Sequence, residues 1–470
     1  MNKSIVFVWF FIICQILAAQ ENGLYEDRNK SHTLNIESGV LTSTQGRLPY
    51  WMEANSAGRF NNVNSGLFYS SVSHESIFTL KKDFKLFAGF ESIARLEGEA
   101  ELDIITSYFG VKNRKFSFYA GRFLETFGLQ NSPLSVGSLI YGTNTRPLPK
   151  LVFQTNGWLQ VPFIKSSNLE FKAYLAHGWF ERERVQSGAY LHQKYLYGRL
   201  KLMSQKLVLS GGIHHNAQWG GTNNATGFTQ PSGFEDYLRI FIGSPGDSDA
   251  LQTDQQNALG NHLGNYEFKV AYEFKNFILS SHFQSLWEDA SGLRPSNLAD
   301  GGLGIQVEFK NNTLIRSVLM EVVSTIDQDA VKLNEDGTEY LEPDNFFNNS
   351  VYRSGWTYQG RVIGSPLFLL TDSFVEDGVS IQNMIRALRF GFSGEWKKLS
   401  YQVVYTSFEN RGVFITRLDP PIRLNSYDLK LNFKQSDTLD FFTRLNYQDG
   451  NWQSGRNFGV QMGLLMSLRF

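Results

Sequence analysis

Apolar and polar side chains alternate in twos along most of this chain, in segments separated by short polar turns. In YDLKLNF, Tyr427, Leu429, Leu431 and Phe433 fall on one side, and Asp428, Lys430 and Asn432 on the other. After the turn KQSDT the pattern resumes in LDFFTRLNY, with Leu439, Phe441, Leu445 and Tyr447 on the apolar side. NYEFKVAYEF and FILSSHFQSLW repeat it about Lys275-Asn276: Tyr266, Phe268, Val270, Tyr272 and Phe274, then Phe277, Leu279, Phe283 and Trp287. Successive side chains point to opposite faces of a strand but not of a helix, so each pair reads as an antiparallel hairpin.

Turns of the same kind stand at KKD near Lys81, KNRK near Lys112, KSSN near Lys165, MSQK near Met203, KNN near Lys310 and KK at Lys397. That makes about eight hairpins, and a strand in TLNIESGVL plus the closing GVQMGLLMSLRF bring the total to about 18 strands. The connections at the other end are long and rich in Gly, Asn, Asp and Pro: Thr126 to Lys150, Ala217 to His262, Glu288 to Asp300 and Thr325 to Val379. Short turns at one end and long loops at the other are the mark of an outer-membrane barrel. A soluble β-sandwich needs no such asymmetry, and a propeller would repeat at blade length, which this chain does not.

A strand in lipid must keep charge off its outer face. In EGEAELDII, read as one strand, Glu97, Glu99, Glu101 and Asp103 share one side, opposite Gly98, Ala100, Leu102 and Ile104. Arg95 nearby points to a charge network inside the lumen. Tyr427 and Phe433 bracket Leu429 and Leu431 as rings at the two membrane interfaces would. The closing strand is expected to end at the periplasmic rim on its aromatic, Phe470. The expected fold is therefore all-β: a single transmembrane antiparallel β-barrel of about 18 strands, with short periplasmic turns and long extracellular loops.

Bulk composition conceals this. Mean hydropathy is -0.26, and 19% of residues are charged. Aromatics, however, reach 14%, a mixture that with frequent Gly favours strands and tight turns. MNKSIVFVWFFIICQILAAQE reads as a secretory signal peptide over residues 1–19, cut near Gln20 and followed by a barrel over 20–470. Its apolar run is too short to span a bilayer as a helix. Cys14, the only cysteine, follows Ile13 rather than the small residue that a lipidation site prefers. The mature chain then has neither disulfide nor thiolate ligand. A net charge of -1 argues against nucleic acid as a partner.

Catalytic patterns are scarce. The chain contains no G-x-S-x-G, P-loop or H-E-x-x-H motif. His214 and His215 are neighbours on a strand and face opposite ways, so no metal site or other cofactor is expected from them. The acidic run could in principle pair carboxylates for glycoside cleavage, but nothing singles out one of them as an acid. The loops are more informative. HHNAQWGGTNNATGF offers Trp219 and Asn223, and YRSGWTYQGRVIGSP offers Arg353, Trp356, Tyr358 and Arg361. Flat rings beside amides and guanidinium groups suit a glycan, whose C–H faces stack and whose hydroxyls need partners. Packing of the loops onto one another explains the same residues equally well.

These two stretches, with RLPYWMEANSAGRF (47–60) and NALGNHLGNYEF (257–268), resemble the Wzi family of capsule-assembly outer-membrane proteins, from about Pro49 to Phe470. The resemblance implies an 18-stranded barrel acting as a surface lectin that holds capsular polysaccharide or exopolysaccharide to the outer membrane of a Gram-negative bacterium. It implies no catalytic residues. Some members carry a periplasmic helical bundle. Here about 13 residues separate the expected cut from the first candidate strand, and no amphipathic helix is read among them. The expected partners are the polysaccharide and outer-membrane lipid, and the expected state is a monomer. A porin-like channel for sugars or other small solutes shares the barrel and differs in an open lumen. An outer-membrane hydrolase is the third reading, without a nucleophile to support it.

Overall fold

The computed structural model describes residues 30–60, 66–81, 83–164, 168–288, 298–333, 336–341, 343–370, 378–453 and 455–470. The expected leader, residues 1–19, lies outside the described residues. The alternating segments form one closed antiparallel sheet. Its first strands are β1 (Lys30–Ser43), β2 (Leu67–Lys81), β3 (Phe84–Glu97), β4 (Glu99–Lys112) and β5 (Phe116–Arg122). Next come β6 (Lys150–Thr155, resumed at Leu159–Gln160), β7 (Leu169–Trp179), β8 (Tyr190–Leu202) and β9 (Leu207–Trp219). The far wall is β10 (Asn261–Glu273), β11 (Phe277–Glu288), β12 (Gly301–Phe309) and β13 (Ser317–Ser324). The circuit ends with β14 (Ile385–Trp396), β15 (Leu399–Gly412), β16 (Arg417–Lys434), β17 (Leu439–Gly450) and β18 (Asn457–Arg469).

Each strand pairs with the next, and β18 pairs with β1, Leu34 opposite Leu468 and Val40 opposite Met462, so no edge is left open. Both pieces of β6 pair with β7, so the sheet has 18 staves, as the turn count predicts. Six of the eight short turns are described in full and lie between the expected strands; those at KKD and KSSN lie partly outside the described residues, with strands on either side. The strand expected through EGEAELDII is instead a hairpin. The chain reverses at Gly98, whose φ of 85° suits glycine, and Glu97 stands opposite Glu99. The charge network survives this correction: Arg95 bridges Glu101 at 3.0 Å and also reaches Asp103, which Arg146 meets from the other side.

The outer wall is apolar. Leu303 and Ile305 on β12 pair with Val322 and Met320 on β13, all between 44% and 53% exposed, while Gln306 and Glu321 point inward and are buried. Tyr405, Tyr427 and Tyr447 form a row of rings at centroid separations of 5.0 and 6.1 Å, and Phe433 and Phe441 form another nearer the short turns. The two rows lie six residues apart along β16, about 20 Å of strand, which fits an apolar band bounded by aromatic girdles. No described helix is long and apolar enough to cross a membrane; the strands do so. Ile305→Arg should destabilise the barrel by about 2–4 kcal/mol in vesicles, whereas the same change at Gln306 should not follow that lipid scale. Urea unfolding in vesicles measures the difference.

Candidate functional site

Connections from the long-loop end turn back into the barrel mouth. Residues 123–149 descend farthest. Leu129 N–H donates to Glu267 Oε2 at 2.6 Å, and Gln130 Nε2 to Gln306 Oε1 at 2.8 Å. Glu321 accepts from Ser135 Oγ at 2.5 Å and from Val136 N–H at 2.8 Å. Leu139 N–H donates to Gln284 Oε1 at 3.0 Å, and Arg389 Nε to the Leu134 carbonyl at 2.6 Å. One segment thus meets inward side chains of five consecutive staves, β10 to β14. Glu267, Gln284, Gln306 and Glu321 are buried and Arg389 is half-buried, so these bonds satisfy polar groups that would otherwise be stranded.

The long connection 325–384 lies on top of it. Trp356 Nε1 donates to the Ile140 carbonyl at 2.6 Å, Gly142 N–H to Ile363 at 2.9 Å, and Ser365 N–H to Leu139 at 3.0 Å. A Cβ on Gly364 would stand 2.2 Å from the Leu139 carbonyl oxygen, so only glycine allows this approach. A third piece, α1 (Tyr50–Glu53), is buried in the mouth, with Tyr50 N–H donating to Gln448 at 2.7 Å and Arg444 Nη2 to the Trp51 carbonyl at 2.6 Å. Trp356, Tyr352, Phe346, Phe347 and Phe368 form a core shared by the loops and the barrel wall. Three segments thus occupy the long-loop end of the lumen.

Above this filling the loops enclose a cleft of about 730 Å³. Arg361 crosses it to Glu53 at 2.7 Å, joining 325–384 to α1. Arg184, buried between loops, donates to the carbonyls of Thr357 at 2.6 Å and Gly355 at 2.8 Å, and Glu181 accepts from Gln359 N–H at 3.1 Å. Burial lowers the Arg184 pKa from its ordinary value, against the pull of Glu181. The Tyr50 ring meets Trp452 edge-on at 4.8 Å, and its hydroxyl donates to the Pro366 carbonyl. Burial raises the Tyr50 pKa well above the phenol range, so this hydroxyl remains a donor. Among the described residues, the exposed Arg47 and Glu183 have no ion-pair partner, and the buried Glu181 Oε2 has no hydrogen-bond donor. The cleft therefore offers free donors and acceptors beside the half-buried Trp452 ring, with its charges nearly balanced.

Of the residues singled out from sequence, Arg361 lines this cleft. Asn223 lies beside the lining residue Asn224, but its Oδ1 is engaged by Ala225 and Thr226 N–H at 2.9 and 3.0 Å. Arg353 is half-buried and takes Val379 N–H on its carbonyl at 2.9 Å. Trp356 and Tyr358 are core residues, 0% and 2% exposed. Trp219 is buried elsewhere, on the outside of the barrel against Tyr237. Arg47, Tyr50, Glu53, Glu181 and Trp452 escaped selection, although the first three lie in the RLPYWMEANSAGRF stretch. His214 faces inward on Phe127 and His215 outward on His262, and no cluster of metal-ligating side chains occurs among the described residues.

The fold is similar to that of the Escherichia coli outer-membrane protein Wzi, described as a carbohydrate-binding β-barrel involved in group 1 capsule assembly. That likeness has a TM-score of 0.60 at 14% identity and covers 92% of this chain and 84% of that one. Pseudomonas aeruginosa OccK2 (OpdF) superposes with a TM-score of 0.50 at 10% identity, over 94% of this chain and 98% of the other. No curated protein sequence matches significantly. The family model of the capsule assembly protein Wzi matches residues 46–382, well over half the chain and spanning α1, the inward segment and most of the long upper loop. This chain is therefore an outer-membrane β-barrel that belongs to the Wzi family of capsule assembly proteins.

Proposed function

We propose that the protein is a surface lectin, a barrel whose loop-built cleft binds capsular polysaccharide or exopolysaccharide and supports capsule assembly and attachment at the cell surface. The observation that carries this reading is the cleft itself: an open groove of mixed polar and apolar lining that includes the half-buried Trp452 ring, seated on loop segments that fold into the barrel mouth. Stacked rings and unpaired polar groups match the two faces of a sugar. The carbohydrate-binding description of the E. coli protein supports the same assignment. Arg47, Glu181, Arg361 and Trp452 are the residues we assign to the ligand, with Asn223 and Arg353 shaping the loops beneath it. We read the protein as a binding protein and not an enzyme, in keeping with the carbohydrate-binding description of the E. coli protein.

The loop-occupied lumen supports binding over the porin-like alternative. Deleting the gene should shift polysaccharide from the cell-bound to the released fraction while total export is maintained. Unchanged surface polysaccharide in the deletion strain would count against the proposal.

A further inference from the structure

The connection between β9 and β10 joins the other loops only through its first residues, where Asn224 donates to the Arg184 carbonyl at 2.8 Å. It carries α2 (Phe234–Ile242) down the outside of the barrel. Tyr237 packs on His192, His177 and Trp219, Ile240 is fully buried, and Phe241 meets His192 at 5.4 Å. Lys194, whose neighbours on β8 show it to point outward, donates to the Phe241 carbonyl at the helix C-terminus and lies 3.9 Å from that ring. A cation on the lipid side of a barrel is costly, and a helix C-terminal carbonyl is the kind of partner that offsets it. Without α2 this stripe of Lys194, His192 and His215 would face hydrocarbon.

The apolar arc of α2 continues beyond this contact. Phe234, Leu238 and Ile242, spaced by four, are 75%, 48% and 68% exposed. Ile242 lines the same cavity as Leu196, itself 57% exposed on the apolar outer wall. An exposed apolar helix face continuous with a lipid-facing wall is the arrangement of a helix lying in the membrane interface. Beneath its C-terminal end is a cavity of about 430 Å³ lined by Leu196, Ile213, His215, Ala258, Ile242 and Trp287. Lys194, His215, Gly264 and Trp287 occupy one cross-strand row, and Leu196 and Ile213 form the next toward the short turns. Leu196 is the middle residue of the 13-residue β8, so the cavity lies on the lipid-facing stretch of the wall, and α2 reaches it from the long-loop end.

We propose that α2 lies among the outer-leaflet lipids and that this cavity takes a fatty acyl chain from one of them. Hydrocarbon is what surrounds this wall, and the volume lies within the range of ligand pockets. A soluble peptide or a second copy of the chain would have to displace lipid to reach it. The roof over the chain is Phe241 and Ile242; the floor is Ile213 and Trp287.

The test uses the full-length barrel in phosphatidylcholine vesicles with brominated or ordinary acyl chains. Trp287 lines the cavity and is otherwise buried, so a brominated chain lodged there stands nearer to this ring than one in the surrounding bilayer. The emission lost in Trp287→Phe relative to the unaltered protein isolates this ring. It should be quenched at least twofold by brominated chains, and recover in Ile213→Phe/Ala258→Phe, where the cavity is filled. Heat-modifiable gel mobility verifies that each variant is folded. Native mass spectrometry of the unaltered protein, gently extracted, should show one retained lipid. Unquenched Trp287 emission, a bare protein mass, or a retained peptide or second copy would each overturn the proposal.

Discussion

Bilayers containing the unaltered protein will show no steady current, and a Glu267→Ala/Gln284→Ala/Glu321→Ala variant will conduct. Those three side chains hold the inward segment through Leu129, Ser135, Val136 and Leu139, and Gln284 Nε2 also donates to the Gly137 carbonyl at 2.9 Å. Removing them forfeits the five hydrogen bonds that dock the segment, three of them to carboxylates, together with bonds to Tyr197, Asn265 and His282 of the wall. At about 1 kcal/mol for a neutral bond and about 1.5–3 for a charged one, the docking loss is roughly 6–11 kcal/mol. That is comparable to the net stability of a whole domain. The barrel ladder is untouched by these changes, so undocking of the filling, and not unfolding of the wall, is the expected result. Gly364→Val should act in the same direction from above by forcing the upper loop off Leu139. A steady current through the unaltered protein would make the porin-like reading the better one.

The second large effect is expected in the cleft. Arg47→Ala/Trp452→Ala should release most polysaccharide from otherwise normal cells, because it removes the unpaired guanidinium and the half-buried ring without breaking an internal ion pair. Arg361 needs different treatment. Its partner Glu53 is buried, and stranding one member of a buried pair costs about 3–5 kcal/mol by itself. Glu53→Gln/Arg361→Met removes both charges together, so a loss of retention in that variant reports on the ligand and not on a stranded carboxylate. Loss of a charge-assisted contact worth about 1.5–3 kcal/mol weakens binding by roughly tenfold or more. Cell-bound and released polysaccharide, measured in strains carrying each variant, provide the readout.

The barrel was legible because lipid imposes a rule that each strand obeys on its own. Tyr427 to Phe433 can be assigned to a face without knowledge of any other segment, and the eight polar turns mark where the strands reverse. Gly98 was harder, because charges alternate on both sides of it and only the backbone reversal separates two strands from one. Loops obey no comparable local rule. A Trp or Tyr among amides looks the same in sequence whether it fills the mouth, as Trp356 and Tyr358 do, or lines a groove, as Trp452 does. The decision rests on contacts between residues far apart in the chain, such as Trp356 with Ile140 and Arg361 with Glu53. The helix FEDYLRIFI carried a local signal in its apolar spacing and in Gly243, which ends it with a φ of 70°, but its place outside the wall is again tertiary.

The most direct test is calorimetric titration of the purified barrel, in detergent, with polysaccharide isolated from the same cells. Saturable heat with the unaltered protein, reduced at least tenfold in affinity by Arg47→Ala/Trp452→Ala, is the predicted outcome. Absence of saturable binding, or binding undiminished in that folded variant, would contradict the assignment of the cleft.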